Sequence, residues 1–191
     1  MPRVNRGEDA GAVHHVIAQG NGRRRIVFDD ADRQRVEIGL ARVVRSHRWQ
    51  VIAFCLMDTH LHLVLRTPEA NLSVGMRQLL GPYARAFNLR HRSEGHLFTS
   101  PFYSVRLDES HLLTACLYVV LNPVRAGICP HPSEYPWCSY RVTAGLEPYG
   151  LTEPALLLVV LDLDARRARE KYVRLVDDAV ADAHATRASG T

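Results

Sequence analysis

Two short constellations in this 191-residue chain carry side chains that do chemistry. The first is His60-Leu61-His62. In an extended strand, residues i and i+2 project from one face, so the two imidazoles stand side by side while Leu61 turns to the other face. Paired neutral imidazoles are natural metal ligands. Their flanks, Phe54 to Met57 and Leu63 to Leu65, are strongly apolar. Polar rings on otherwise buried strands need partners, and a metal ion is one; two ordinary core or surface histidines are the plainer account. The second constellation interrupts the apolar stretch Leu112 to Leu121. His111, Tyr118 and Asn122 are spaced seven and four apart, so on a helix they share a face. A phenol and an amide one turn apart can address one point in space. The plainer account makes Tyr118 an amphipathic core aromatic and Asn122 a helix cap before Pro123.

Taken together, the two constellations describe a reaction. A metal held by His60 and His62, with Asn122 as third ligand, leaves positions open for phosphate oxygens and polarises a phosphodiester. Tyr118 can then attack phosphorus in line, giving a covalent phosphotyrosine and a departing 3′-hydroxyl. The link conserves bond energy, so the step can run backwards onto another end. No Asp/Glu pair has the spacing of a two-metal nuclease, which favours one metal and a protein nucleophile. Two rivals stay open: a nucleic-acid-binding domain without catalysis, and a metal hydrolase using His60, His62 and Asp58.

These residues need elements to position them. Val13 to Ala18 reads as a strand ended by the turn Gln19-Gly20-Asn21-Gly22. Asp29 and Asp30 are candidate caps for a helix whose stripe is Val36, Leu40, Val43 and Val44, running to about His47. Trp49 to Met57 and His60 to Arg66 read as strands of an antiparallel hairpin. Asn71 or Ser73 caps a second helix with the stripe Leu72, Met76, Leu79, Leu80, Tyr83 and Phe87. Gly95 to Leu107 is irregular, then extended. Asp108 caps a third helix that Pro123 stops. The β-α-β-β-α-β order predicts an α+β, ferredoxin-like sandwich with an antiparallel sheet. The third helix, which bears Tyr118, is an addition to that plan. Residues 146–191 read as a C-terminal helical extension of a domain spanning 1–145.

Composition narrows the partners. Apolar residues make up 47% and charged residues 23%, an ordinary globular balance. The longest apolar run, Ala155 to Leu161, is too short for a membrane helix, and the first ten residues carry charges rather than a secretory signal. The four cysteines show no Cys-x-x-Cys spacing and read as reduced thiols of a cytoplasmic protein. Residues 1–143 hold 18 arginines against 12 acidic residues, and the chain has a single lysine, Lys171. Arginine forks onto phosphate and stacks on bases. Arg23, Arg24 and Arg25 fall on a turn, and Arg77, Arg85 and Arg92 form a helical stripe. Both groups are candidate DNA contacts, although a solvated helix face and an Arg-rich genome produce the same pattern. His15 on the first strand reads as structural or near the substrate rather than as a ligand.

Several blocks together resemble a known family. They are Gly20-Asn21 after a strand, MDTHLHLVL (57–65), GHLF (95–98), YVVLNPVRAG (118–127) and YPWCSY (135–140). In this order they are similar to the HUH single-tyrosine transposases, over roughly residues 11–145, and most of all to the REP-associated branch. The resemblance implies His60 and His62 as the HUH metal ligands, Tyr118 as nucleophile and Asn122 in place of the helix-borne third ligand. It also implies Mg²⁺ or Mn²⁺ as cofactor and single-stranded DNA with hairpins as partner; a monomer or homodimer at the nucleoid is the accompanying expectation. Three positions depart from the family pattern. Asp58-Thr59 stands where Pro-Asn is usual, Gln19 stands where Arg is usual, and Thr99, Ser100, Pro101 and Tyr103 lack the usual basic residues.

Overall fold

The computed structural model describes residues 9–100, 102–148 and 150–189. The chain runs β1 (Val13–Gln19), a 3₁₀ turn (Asn21–Arg23), α1 (Asp30–His47), β2 (Gln50–Leu56) and β3 (His60–Arg66). It continues through α2 (Leu72–His91), β4 (Tyr103–Leu107), α3 (Glu109–Val120) and α4 (Asn122–Arg125). After α5 (Tyr140–Ala144) come α6 (Ala155–Leu161) and α7 (Ala165–Ser189). The sheet order is β2-β3-β1-β4, with each neighbouring pair antiparallel. This is the ferredoxin-like plan that the element order predicts.

Strand alternation divides two cores between the faces of the sheet. Val16, Ala18, Leu61, Leu63 and Leu65 point to the face covered by α1 and α2, where Val36, Leu40, Met76, Tyr83 and Phe87 meet them. Asp29 caps α1 by accepting from the Asp32 amide at 3.0 Å. Asn71 stands at the N-cap of α2 but makes no side-chain cap bond; its oxygen instead accepts from the Trp49 indole at 2.7 Å. Trp49 in turn fills the space left by the missing side chain of Gly75.

The opposite face carries the third helix. Asp108 caps α3 through the His111 amide at 3.0 Å. Cys116, Val119 and Val120 then pack against Ile52, Ala53, Cys55 and Val64 of the sheet. Pro123 follows the end of α3, as expected. It sits in the first turn of α4, where its missing N–H has no helical acceptor to lose. Leu157 of α6 with Tyr172 and Val176 of α7 completes the same core. No helix among the described residues is long and apolar enough to cross a membrane.

Candidate active site

The face of the sheet beneath α3 gathers five side chains from four elements. His60 and His62 project from β3 with ring centres 4.7 Å apart and planes nearly perpendicular. Opposite them, β1 pairs Ile17 with His62 and Gln19 with His60, so His15 is the diagonal neighbour of His62 on the same face. The His15 Nε2 lies 3.1 Å from His62 Nδ1. Tyr118 leans in from α3 with its ring edge-on, 5.6 Å from His62 and 5.9 Å from His15. Its side of the helix is open, and the residue is 41% exposed.

Burial sets the charge of the imidazoles. Desolvation, reinforced by His60 and His15, pushes His62 down to about 3. Burial also lowers His15 and His60, and for His60 a hydrogen bond donated to Asn122 acts in the opposite sense. The three rings are therefore neutral near pH 7, each with one lone pair and one N–H. Thr59 Oγ1 holds His60 Nδ1 at 2.9 Å.

Asn122 caps α3 and also reaches His60. Its Nδ2 donates to the Tyr118 carbonyl at 2.8 Å, which caps the end of α3, while the side chain also meets His60. With the nitrogen committed to the helix, the amide oxygen is the atom left for the imidazole or a cation. Among the described residues no three His, Cys, Asp or Glu side chains form a metal-holding group. A cation here would take two imidazoles and the Asn122 oxygen, an all-neutral set that leaves its charge for phosphate oxygens. The donor chemistry fits.

Arg125 is a site residue that sequence reasoning missed. Its guanidinium lies 5.1 Å from the centre of the Tyr118 ring. The available signal was its spacing, seven residues or two helical turns after Tyr118. His111, two turns before Tyr118 on α3, pairs with Asp108 at 2.6 Å at the far end of the helix. Asp58, the acid of the hydrolase alternative, is held by Arg33 and by Arg25, the latter at 2.6 Å.

The candidate DNA-binding arginines fall into two settings. Arg23 is exposed, Arg24 donates to Ser93 Oγ at 2.5 Å, and Arg25 joins Asp58 while resting on Phe28. Arg77 and Arg85 line a groove of about 570 Å³ between α2 and the loop at 95–100, floored by Met76, Leu80, Leu97 and Phe98. Among the described residues no acidic side chain lines it. Arg92, exposed at the C-cap of α2, lies outside that lining. The loop is tied to the turn after β1: the Asn21 amide donates to Leu97 O and Thr99 Oγ1 donates to Gly20 O. The Gly20 amide donates in turn to Thr59 O, the residue before His60. Groove and histidines thus meet at one end of the sheet.

A family profile described as "Transposase IS200 like" matches residues 11–122, which is more than half of the chain and runs from β1 to Asn122. The chain belongs to the IS200-like transposase family. Membership places it among the proteins of DNA transposition. The fold of this transposase is similar to that of a REP-associated tyrosine transposase solved bound to a REP hairpin. That match has a TM-score of 0.64 and 16% identity, covering 80% of this chain and 91% of the other. A Deinococcus radiodurans R1 protein assigned to the transposases matches with a TM-score of 0.43 and 18% identity, over 62% of this chain and 95% of that one. Among curated proteins none matches it in sequence.

Proposed function

We propose that this IS200-like transposase cuts and rejoins single-stranded DNA beside a hairpin through a covalent link to Tyr118. The observation that carries the reading is the exposed phenol standing edge-on to the His62 ring at 5.6 Å, over a face that holds three neutral imidazoles. In the forward step the phenol gives up its proton and Oη bonds to phosphorus. The bond from phosphorus to the 3′ oxygen breaks, and that oxygen takes a proton. The reverse step joins a 3′-hydroxyl to the same phosphotyrosine. Arg125 sets a positive charge against the ring, the sign that favours charge developing on Oη. His60, His62 and the Asn122 oxygen would hold Mg²⁺ or Mn²⁺, which when bound supplies Lewis-acid polarisation of the phosphodiester.

The DNA reading has its own support. The transposase of similar fold is bound to a REP hairpin, and hairpin DNA is the partner assigned here. Arg77 and Arg85 give the groove at the sheet end a cationic rim. That suits an extended phosphate backbone, and the apolar floor suits unpaired bases. The test is a denaturing gel of the full-length protein with labelled hairpin DNA carrying single-stranded flanks and Mn²⁺. A retarded covalent band is expected for the wild type and none for Tyr118→Phe or with chelator. Equal cutting of a fully paired duplex, or an unchanged band from Tyr118→Phe, would overturn the reading.

A further inference from the structure

We propose that His15 is a positioning residue that fixes the tautomer of His62, so that His62 offers Nε2 to the cation; this role rests on the metal reading above. The His15 Nε2 and His62 Nδ1 atoms are 3.1 Å apart. Two ring nitrogens at that distance share one hydrogen: one is the N–H and the other the lone pair. An imidazole that ligates a metal presents its lone pair there and carries its proton on the other nitrogen, held by a neighbouring acceptor. With His62 Nδ1 committed to His15, only Nε2 is left to ligate. His62 Nδ1 therefore donates, His15 Nε2 accepts, and His15 keeps its own proton on Nδ1.

Three features single out His15 for this task. The β1–β3 register makes it the diagonal neighbour of His62. The two rings are stacked, with centres 5.3 Å apart and planes inclined by 25°, so packing holds the same orientation as the hydrogen bond. Among the described residues no other side chain hydrogen-bonds the His62 ring. The usual alternative acceptor is a carboxylate, and the acid next to the β3 start, Asp58, is engaged by Arg25 and Arg33. His60 is served separately by Thr59. Each histidine of the pair thus has its own holder, and the holder of His62 comes from a different strand.

The test uses the full-length protein with Mn²⁺ as the probe, titrated by electron paramagnetic resonance, and compares His15→Gln with His15→Leu. Glutamine places a carbonyl oxygen near the position of Nε2 and can accept from His62; leucine cannot. Mn²⁺ affinity should fall about 10–100-fold in His15→Leu, the usual loss for a removed outer partner, and stay within a few-fold of wild type in His15→Gln. In the metal-free wild type, ¹⁵N spectra of the imidazoles should place the His62 proton on Nδ1, a reading that needs no variant to fold. Wild-type affinity in His15→Leu, or a His62 proton on Nε2, would overturn the role. Equal loss in both variants would make His15 a ligand itself and overturn it too. A wild type that binds no Mn²⁺ would remove the metal reading, and this role with it.

Discussion

Asn122 divides its amide between two tasks, and that division makes it testable. The nitrogen caps the Tyr118 carbonyl, which leaves the oxygen for His60 or a cation. Asn122→Ala should cost only about 1 kcal/mol of stability for the lost cap bond, read by thermal melting, yet remove most strand cleavage. Asn122→Asp keeps an oxygen at the same place and adds charge, so cleavage should persist with a shift in preference between Mg²⁺ and Mn²⁺. Full activity in Asn122→Ala would reduce the residue to a cap. Arg125→Gln removes the charge against the Tyr118 ring and should slow formation of the covalent adduct in single-turnover assays while DNA binding changes little. At this scale the sequence is most readable where the spacing is local. His60 and His62 share a face by strand alternation, and Tyr118 and Asn122 by helical period. His15 lies 47 residues from His62 and meets it only through the pairing of β1 with β3, which no local spacing encodes. Arg125 was hidden by Pro123, which marks the end of α3 and also opens the next turn.

The elements were legible in order and type because apolar periodicity and caps such as Asp29 and Asp108 are local. Which face α3 covers was not, since its stripe of Cys116, Val119 and Val120 fits any apolar surface. The turn after β1 is the joint on which the arrangement depends. A side chain at Gly20 would place its Cβ 2.1 Å from the Arg24 carbonyl oxygen, a contact that only backbone movement relieves. Gly20→Ala should therefore destabilise by about 1–3 kcal/mol, measured by chemical denaturation. It should also lower activity, because the Gly20 amide is bonded to Thr59 beside His60. Helix α2 contributes through its open side. If Arg77 and Arg85 each neutralise one phosphate of a single strand, removing both should make the slope of log affinity against log salt shallower by about 1.4. An unchanged slope would take the groove off the DNA path.

Over the whole molecule, charge and burial act in different regions. The change from a basic balance over residues 1–143 to six basic and eight acidic residues over 144–191 is visible in the sequence. The packing of Tyr172 and Val176 into one core with Cys116 and Val120 is not, because it depends on where α7 docks. The buried imidazoles give the metal-free protein a characteristic response to acid. His15, His60 and His62 are all held below their ordinary value of 6.5, His62 to about 3. Below about pH 6.5 the unfolded chain takes up protons that the folded rings resist. The stability from keeping them neutral is thus complete above pH 6.5 and is lost as pH falls from there towards 3. Denaturation midpoints at pH 7, 6 and 5 should decline, and the decline should be shallower in His62→Phe. The central chemistry is tested most directly by trapping the covalent complex on a hairpin-bearing single strand, digesting both components and locating the residual nucleotide by mass spectrometry. The expected result is a 5′-phosphonucleotide on the peptide bearing Tyr118; the same adduct on Tyr83 or Tyr103, with Tyr118 unmodified, would contradict it.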